Sequence, residues 1–126
     1  MVPVRCFIVE DSPVIRENLI ATLEEMLPLK VVGMAEDEEG AVRWLRSAGS
    51  ECDLVIIDIF LKTGSGLGVL REARGAFAQR RLVVLSNYAT PDMRRRCHEL
   101  GADRVFDKSS ELDELIGYCD ELSRGP

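Results

Sequence analysis

An α/β domain, a parallel sheet covered on both faces by helices, is the fold class the chain predicts. Five short apolar runs alternate with stretches whose apolar residues recur every three or four positions. One run, Leu54-Val55-Ile56-Ile57, has no polar alternation, which suits a central parallel strand better than a strand with one wet face. The 126 residues are enough for one domain with a sizeable core and leave no room for a second, so 1–126 is read as a single domain.

The first strand is expected at Val4 to Val9. Ser12-Pro13 then marks a helix start, a hydroxyl to cap free N–H groups and a proline tolerated at the first position. Ile15, Leu19, Thr22, Leu23 and Met26 form that helix's inward face. Leu29 to Ala35 is the second strand, and Ala41, Trp44, Leu45 and Ala48 place a helix over about Glu38 to Ala48, with Trp44 a partly buried anchor. After the third strand, Leu54 to Ile57, Gly64-Ser65-Gly66-Leu67-Gly68 reads as a turn into a helix from about Gly66 to Arg74. It lacks the lysine of a nucleotide-binding P-loop. Leu82 to Leu85 is the fourth strand, and Thr90-Pro91 opens the fourth helix. Arg104 to Phe106 is the fifth. Ser109 or Ser110 is expected to cap the last helix, which turns Leu112, Leu115, Ile116, Cys119 and Leu122 inward before a frayed tail from Ser123 to Pro126. Strand and helix alternating in this way imply right-handed crossovers.

Composition narrows the function classes. At 46% hydrophobic and 30% charged the chain is neither disordered nor fibrous. A net charge of −6 repels phosphate backbones and anionic lipids, so no direct nucleic-acid binding and no membrane association by this domain are expected. The apolar stretch before Glu10 is too short for a signal peptide or a span, and a cytoplasmic location follows as the expectation. Cys6, Cys52, Cys97 and Cys119 form no paired motif and are read as buried free thiols.

In an open parallel sheet, functional groups gather beyond the carboxyl ends of the strands. Here those ends deliver Glu10-Asp11, Asp58, Ser86 and Lys108. Three neighbouring carboxylates repel one another unless protons or a divalent cation intervene, and an all-oxygen site favours Mg²⁺. Mg²⁺ with open positions points to phosphoryl chemistry, which needs an in-line nucleophile and positive charge around the equatorial oxygens. Asp58, alone at the end of the most apolar strand, is the candidate nucleophile. Glu10 and Asp11 are candidate metal ligands, and Lys108 and Ser86 would bind phosphoryl oxygens.

In order and spacing, Glu10-Asp11, Asp58, Ser86 and Lys108 resemble the acidic pair, phosphoacceptor, switch hydroxyl and lysine of the receiver domains of two-component response regulators. The likeness covers nearly the whole chain. It extends to Val9-Glu10-Asp11-Ser12, to Asp58-Ile59-Phe60-Leu61 with Ser65-Gly66-Leu67, and to Gly101-Ala102-Asp103 ahead of Phe106-Asp107-Lys108-Ser109. The resemblance implies the flavodoxin-like (βα)5 three-layer sandwich, strand order 2-1-3-4-5. It implies phosphorylation of Asp58 by a histidine kinase or phosphotransfer protein, with Mg²⁺ held by Asp11, Asp58 and the Phe60 backbone carbonyl and Glu10 acting through a water. It also implies a switch, not an enzyme, that catalyses only its own phosphoryl transfer and autodephosphorylation. A face on helix 4, strand 5 and helix 5, including Arg94, Arg95, Val105 and Asp113, would meet a second copy or a downstream protein.

Two positions depart from the family pattern. Val105 stands where many members carry a rotating aromatic, and Ser109 where many carry proline after the lysine. Phe106 is expected on the opposite side of the strand from Val105. The two positions that tune phosphoryl lifetime in the family are Phe60 and Tyr88, both bulky and neither able to orient a water as an acid or amide would, so a long-lived phospho-Asp58 is expected. His98 is read as facing solvent. The alternatives are a phosphorylation-independent adaptor, the receiver portion of a longer DNA-binding regulator, and an aspartyl-phosphate phosphatase; the last lacks a second Asp, since Phe60 stands there.

Overall fold

A computed structural model describes residues 3–48, 51–76 and 80–125. Strand and helix alternate throughout: β1 (Val4–Val9), α1 (Pro13–Met26), β2 (Leu29–Ala35), α2 (Glu38–Ala48), β3 (Leu54–Ile57), α3 (Gly66–Ala76), β4 (Arg81–Ser86), α4 (Pro91–Glu99), β5 (Arg104–Asp107) and α5 (Leu112–Ser123). The strands form one parallel sheet in the order β2-β1-β3-β4-β5. β3 lies at its centre and is buried along its whole length, as its unbroken apolar run requires.

Period-two alternation divides the core between the two faces. Phe7, Val9, Val55, Ile57, Val84 and Val105 pack on one side with Leu45, Leu70 and Cys97 from α2, α3 and α4. Cys6, Ile8, Ile56, Leu85 and Phe106 pack on the other with Leu23 and Leu115 from α1 and α5. Val105 and Phe106 thus face opposite ways, as expected. Each fully buried Leu, Ile or Phe contributes roughly 1.5–3 kcal/mol. Trp44 is half-buried and stacks flat on Phe7, with centroids 4.0 Å apart. All four cysteines are buried.

The amino ends of the strands are cross-tied. Asp53 takes the Arg5 N–H and both arms of its guanidinium at 2.9–3.1 Å, returns its own N–H to the Arg5 carbonyl, and gives its carbonyl to Arg81 N–H. Asp103 does the same for β4 and β5, accepting from Leu82 N–H at 2.8 Å and donating to the Leu82 carbonyl.

Several local expectations are corrected. The buried line of α1 runs through Leu19, Ile20 and Leu23 to Leu27, while Arg16 turns its guanidinium to the Glu10 carbonyl; Ile15 and Met26 are exposed, and Thr22 is half-buried. Neither Ser109 nor Ser110 caps α5. Asp107 Oδ1 takes the N–H groups of both and the Ser109 hydroxyl, and the helix begins after Glu111 without a side-chain cap. α5 runs through Ser123, where a frayed tail was expected, because the Ser123 hydroxyl donates to the Asp120 carbonyl; Pro126 lies outside the described residues. α3 extends to Ala76, two residues beyond Arg74. No described helix is long and apolar enough to cross a membrane.

Candidate functional site

The parallel ladder aligns the strand ends, and so it assembles the site. Val9 is in register with Ala35 on one side and Ile57 on the other, and Ser86 with Asp107. The pairing continues past the strands: Glu10 N–H donates to the Ala35 carbonyl, Asp58 N–H to the Val9 carbonyl and Lys108 N–H to the Ser86 carbonyl, each at 3.0 Å. Backbone hydrogen bonds therefore fix the position of each functional side chain before any contact among them forms.

Those contacts centre on one ammonium. Lys108 Nζ donates to Glu10 Oε1 and, at 3.0 Å, to Asp58 Oδ2. Glu10 is 3% exposed and Asp58 7%. Lys108 supplies the countercharge that lets two buried carboxylates lie together. Burial opposes charge on Lys108, but the hydrogen bonds it donates to Glu10 and Asp58, with their charges, outweigh that and hold the amine above the ordinary lysine range. Asp11, half-buried, completes the group: one oxygen from each of Glu10, Asp11 and Asp58 lies within 4.8 Å of the others. The donors are all hard oxygens, as Mg²⁺ requires, so the residues present fit that ion.

One backbone amide donates to each carboxylate of the group. Asp11 Oδ2 accepts from Lys62 N–H at 2.7 Å, Asp58 Oδ1 from Phe60 N–H at 3.2 Å, and Glu10 Oε2 from Ser12 N–H at 3.1 Å. Gly66 rests against the Asp58 backbone, since a methyl group there would come within 2.2 Å of the Asp58 carbonyl. Ser86 is fully buried at the end of β4, and its hydroxyl accepts from Tyr88 N–H at 3.1 Å. The rings of Phe60 and Tyr88, 49% and 62% exposed, meet edge to face with centroids 4.9 Å apart. One follows Asp58 by two residues and the other follows Ser86 by two.

The residues predicted for the partner face separate. Arg95 and Asp113 are exposed. Val105, in contrast, is buried in the core and offers no surface, a correction that follows from its inward parity on β5. Arg94 is turned back on its own molecule: it donates to the Ala89 and Val105 carbonyls and to Glu111, tying the start of α4 to β5 and α5. That bond, with a second from Asp107 N–H, holds the Glu111 carboxyl below the usual glutamate range. His98 is exposed, as expected. Sequence reasoning missed the contributions of Arg16, Glu38 and the Lys62 amide. Nothing local distinguishes the first and last, but an acid opening α2 opposite a glycine-rich turn was a readable sign of the second.

Comparison with known proteins agrees with this geometry. The family model of the response regulator receiver domain matches residues 6–120. The chain belongs to that family, and its sheet order is the flavodoxin-like order expected. The transcriptional regulatory protein AruR of Pseudomonas aeruginosa is 41% identical over 125 residues, covering 98% of this chain and 50% of its own length. The response regulator UvrY of Escherichia coli K12 is 24% identical over 122 residues, covering 97% of this chain and 55% of its own length. The chain thus spans about half the length of these curated relatives. A LuxR-family two-component response regulator from Aurantimonas sp. SI85-9A1 superposes with a TM-score of 0.86 at 25% identity, covering 98% of this chain and 86% of that one. Receiver domains bind Mg²⁺ at an acidic pocket, and Glu10, Asp11 and Asp58 form a group able to hold it.

Proposed function

We propose that the domain is a phosphorylation-operated switch in which Asp58 accepts a phosphoryl group from the phosphohistidine of a histidine kinase or phosphotransfer protein. The observation that carries this reading is the Lys108 ammonium bridging Glu10 and Asp58 beside Asp11. Asp11, Asp58 and the Phe60 carbonyl would hold Mg²⁺, with Glu10 acting through a water, and the ion would supply the charge that lets an anionic carboxylate meet an anionic phosphoryl group. An Asp58 carboxylate oxygen attacks phosphorus in line while the P–N bond to the partner's imidazole breaks, its electron pair returning to the ring nitrogen. Lys108 then binds one phosphoryl oxygen. Ser86 gives up Tyr88 N–H as a partner and donates its own proton to another.

The added charge, about 1.5–2 units, shifts the β4–α4 segment and alters the surface of α4, β5 and α5 for a second copy or a downstream protein. In this reading the domain works in the cytoplasm, binds no nucleic acid itself, and is no enzyme beyond its own phosphoryl transfer and hydrolysis. A second reading is also supported: AruR is named a transcriptional regulator and is matched over half its length, which fits a receiver portion of a longer DNA-binding protein.

The test is acetyl phosphate with Mg²⁺. Wild-type protein gains one phosphoryl mass, and Asp58→Asn gains none. An unmodified wild type would point to a phosphorylation-independent adaptor instead. The bulk of Phe60 and Tyr88, whose rings meet edge to face two residues after Asp58 and Ser86, supports a barrier to attacking water, so the phosphoryl group persists well beyond seconds and Tyr88→Ala shortens its life several-fold. Autodephosphorylation of the wild type within seconds would overturn that expectation.

A further inference from the structure

The glycine-rich segment after β3 closes around a carboxylate from another element. Glu38, the first residue of α2, accepts a hydrogen bond from Ser65 N–H at 2.8 Å, and its own N–H points to the Thr63 carbonyl at 3.4 Å. The fit leaves no spare room. A methyl group at Gly68 would come within 2.2 Å of Glu38 Oε2, and one at Gly64, where φ is +82°, within 2.5 Å of Glu38 Cβ. The half-buried carboxylate meets the amino end of α3, where the helix dipole favours negative charge.

The same segment borders the acidic cluster. Lys62 N–H is held by Asp11, Phe60 N–H by Asp58, and Gly66 N–H closes on the Ile59 carbonyl at 2.9 Å. Residues 59–66 are thus anchored to the cluster on one side and to Glu38 on the other. Loops without such anchors sample many conformations, and a binding site built on them must order them first.

We propose that Glu38 is a positioning residue: by fixing the β3–α3 segment it keeps Lys62 N–H on Asp11 and the Phe60 peptide beside Asp58, prearranging the cluster for a divalent cation. Groups hydrogen-bonded to a metal's ligands commonly act this way, and losing one typically weakens binding about 10–100-fold; Glu38 acts one link further back, through the segment that carries the Lys62 and Phe60 amides. The inference rests on the Mg²⁺-dependent receiver reading.

The experiment uses the whole chain with Mg²⁺ alone, followed by amide NMR of Lys62 and Ser65, with amide exchange measured before the ion is added. Glu38→Ala raises the Mg²⁺ half-saturation about tenfold and speeds exchange at Lys62, a residue Glu38 does not touch, while amides of β3 and β4 stay protected. Glu38→Gln, which keeps an oxygen for Ser65 N–H, stays close to wild type. Gly68→Ala keeps Glu38 but pushes its carboxylate aside while improving the helix, so it reproduces the Glu38→Ala result even if that variant fails to fold. A Glu38→Gln variant as impaired as Glu38→Ala would overturn the inference, as would Mg²⁺ binding by Gly68→Ala at wild-type strength. Wild type without Mg²⁺ affinity would bring down the receiver reading and this inference together, whereas a wild type that binds Mg²⁺ no better than Glu38→Ala would sink the inference alone.

Discussion

Lys108 carries the greatest burden of any single side chain in this domain. Truncating it leaves Glu10 and Asp58 buried with no countercharge, and breaking a buried pair in this way costs about 3–5 kcal/mol. Lys108→Ala should therefore lower the unfolding free energy by about that amount in urea, and added Mg²⁺ should return part of it by binding the same carboxylates. A loss no larger than that of a surface lysine would mean the bridge is not formed in solution. Because the amine is held above its ordinary value, its contribution is complete below that value and fades only as pH climbs through the raised one. At this scale much was legible in advance, since Glu10, Asp11, Asp58, Ser86 and Lys108 all follow predicted strands and the register of a parallel sheet brings such positions to one edge. Val105 was misplaced on the surface because strand parity gives the face of a residue but not what covers it.

Among the elements, α4, β5 and α5 are joined by one guanidinium. Arg94 reaches the Ala89 and Val105 carbonyls and the Glu111 carboxylate, which also accepts Asp107 N–H. This tie spans the surface expected to change on phosphorylation. Its dependence on acid is set by Glu111: with a folded pKa held down by Arg94, the glutamate adds stability above its ordinary range and loses it as pH falls through the depressed value. Wild type should therefore exceed Glu111→Gln in melting temperature at neutral pH, and the two should converge in acid. A gap of constant size across pH would show that the carboxylate charge plays no part. Arg94→Ala should cost about 1–2 kcal/mol in urea unfolding and loosen the start of α4. Strand and helix existence was readable from periodicity, but helix starts less so: Ser109 and Ser110 have capping chemistry, and Asp107, two residues earlier, captures them first. Arg94 likewise was expected on the partner face, because charge alone does not reveal which way a long side chain folds.

Over the whole molecule, the two-sided core puts all four thiols out of reach of solvent. Burial pushes the Cys119 thiol up to about 12 and raises Cys6, Cys52 and Cys97 as well. Native protein should therefore react with a thiol reagent only at its unfolding rate, and all four groups should label together in denaturant; a rapid stoichiometric burst in the native state would contradict this core. The layered fold itself was legible because five apolar runs separated by amphipathic stretches admit few other arrangements. The cross-ties at the amino ends were not, since nothing in the local sequence of Asp53 or Asp103 reveals the strand neighbours that the sheet brings to them. Their placement has a consequence for how such a protein can diverge. Arg5–Asp53 and Asp103–Leu82 tie the strands together at one margin, and the proposed phosphoryl site, with its own Lys108 bridge, occupies the other. Phe60 and Tyr88 belong to neither tie and are largely exposed, so substitutions there that alter the proposed phosphoryl lifetime can accumulate while the thermal endurance of the scaffold stays nearly untouched.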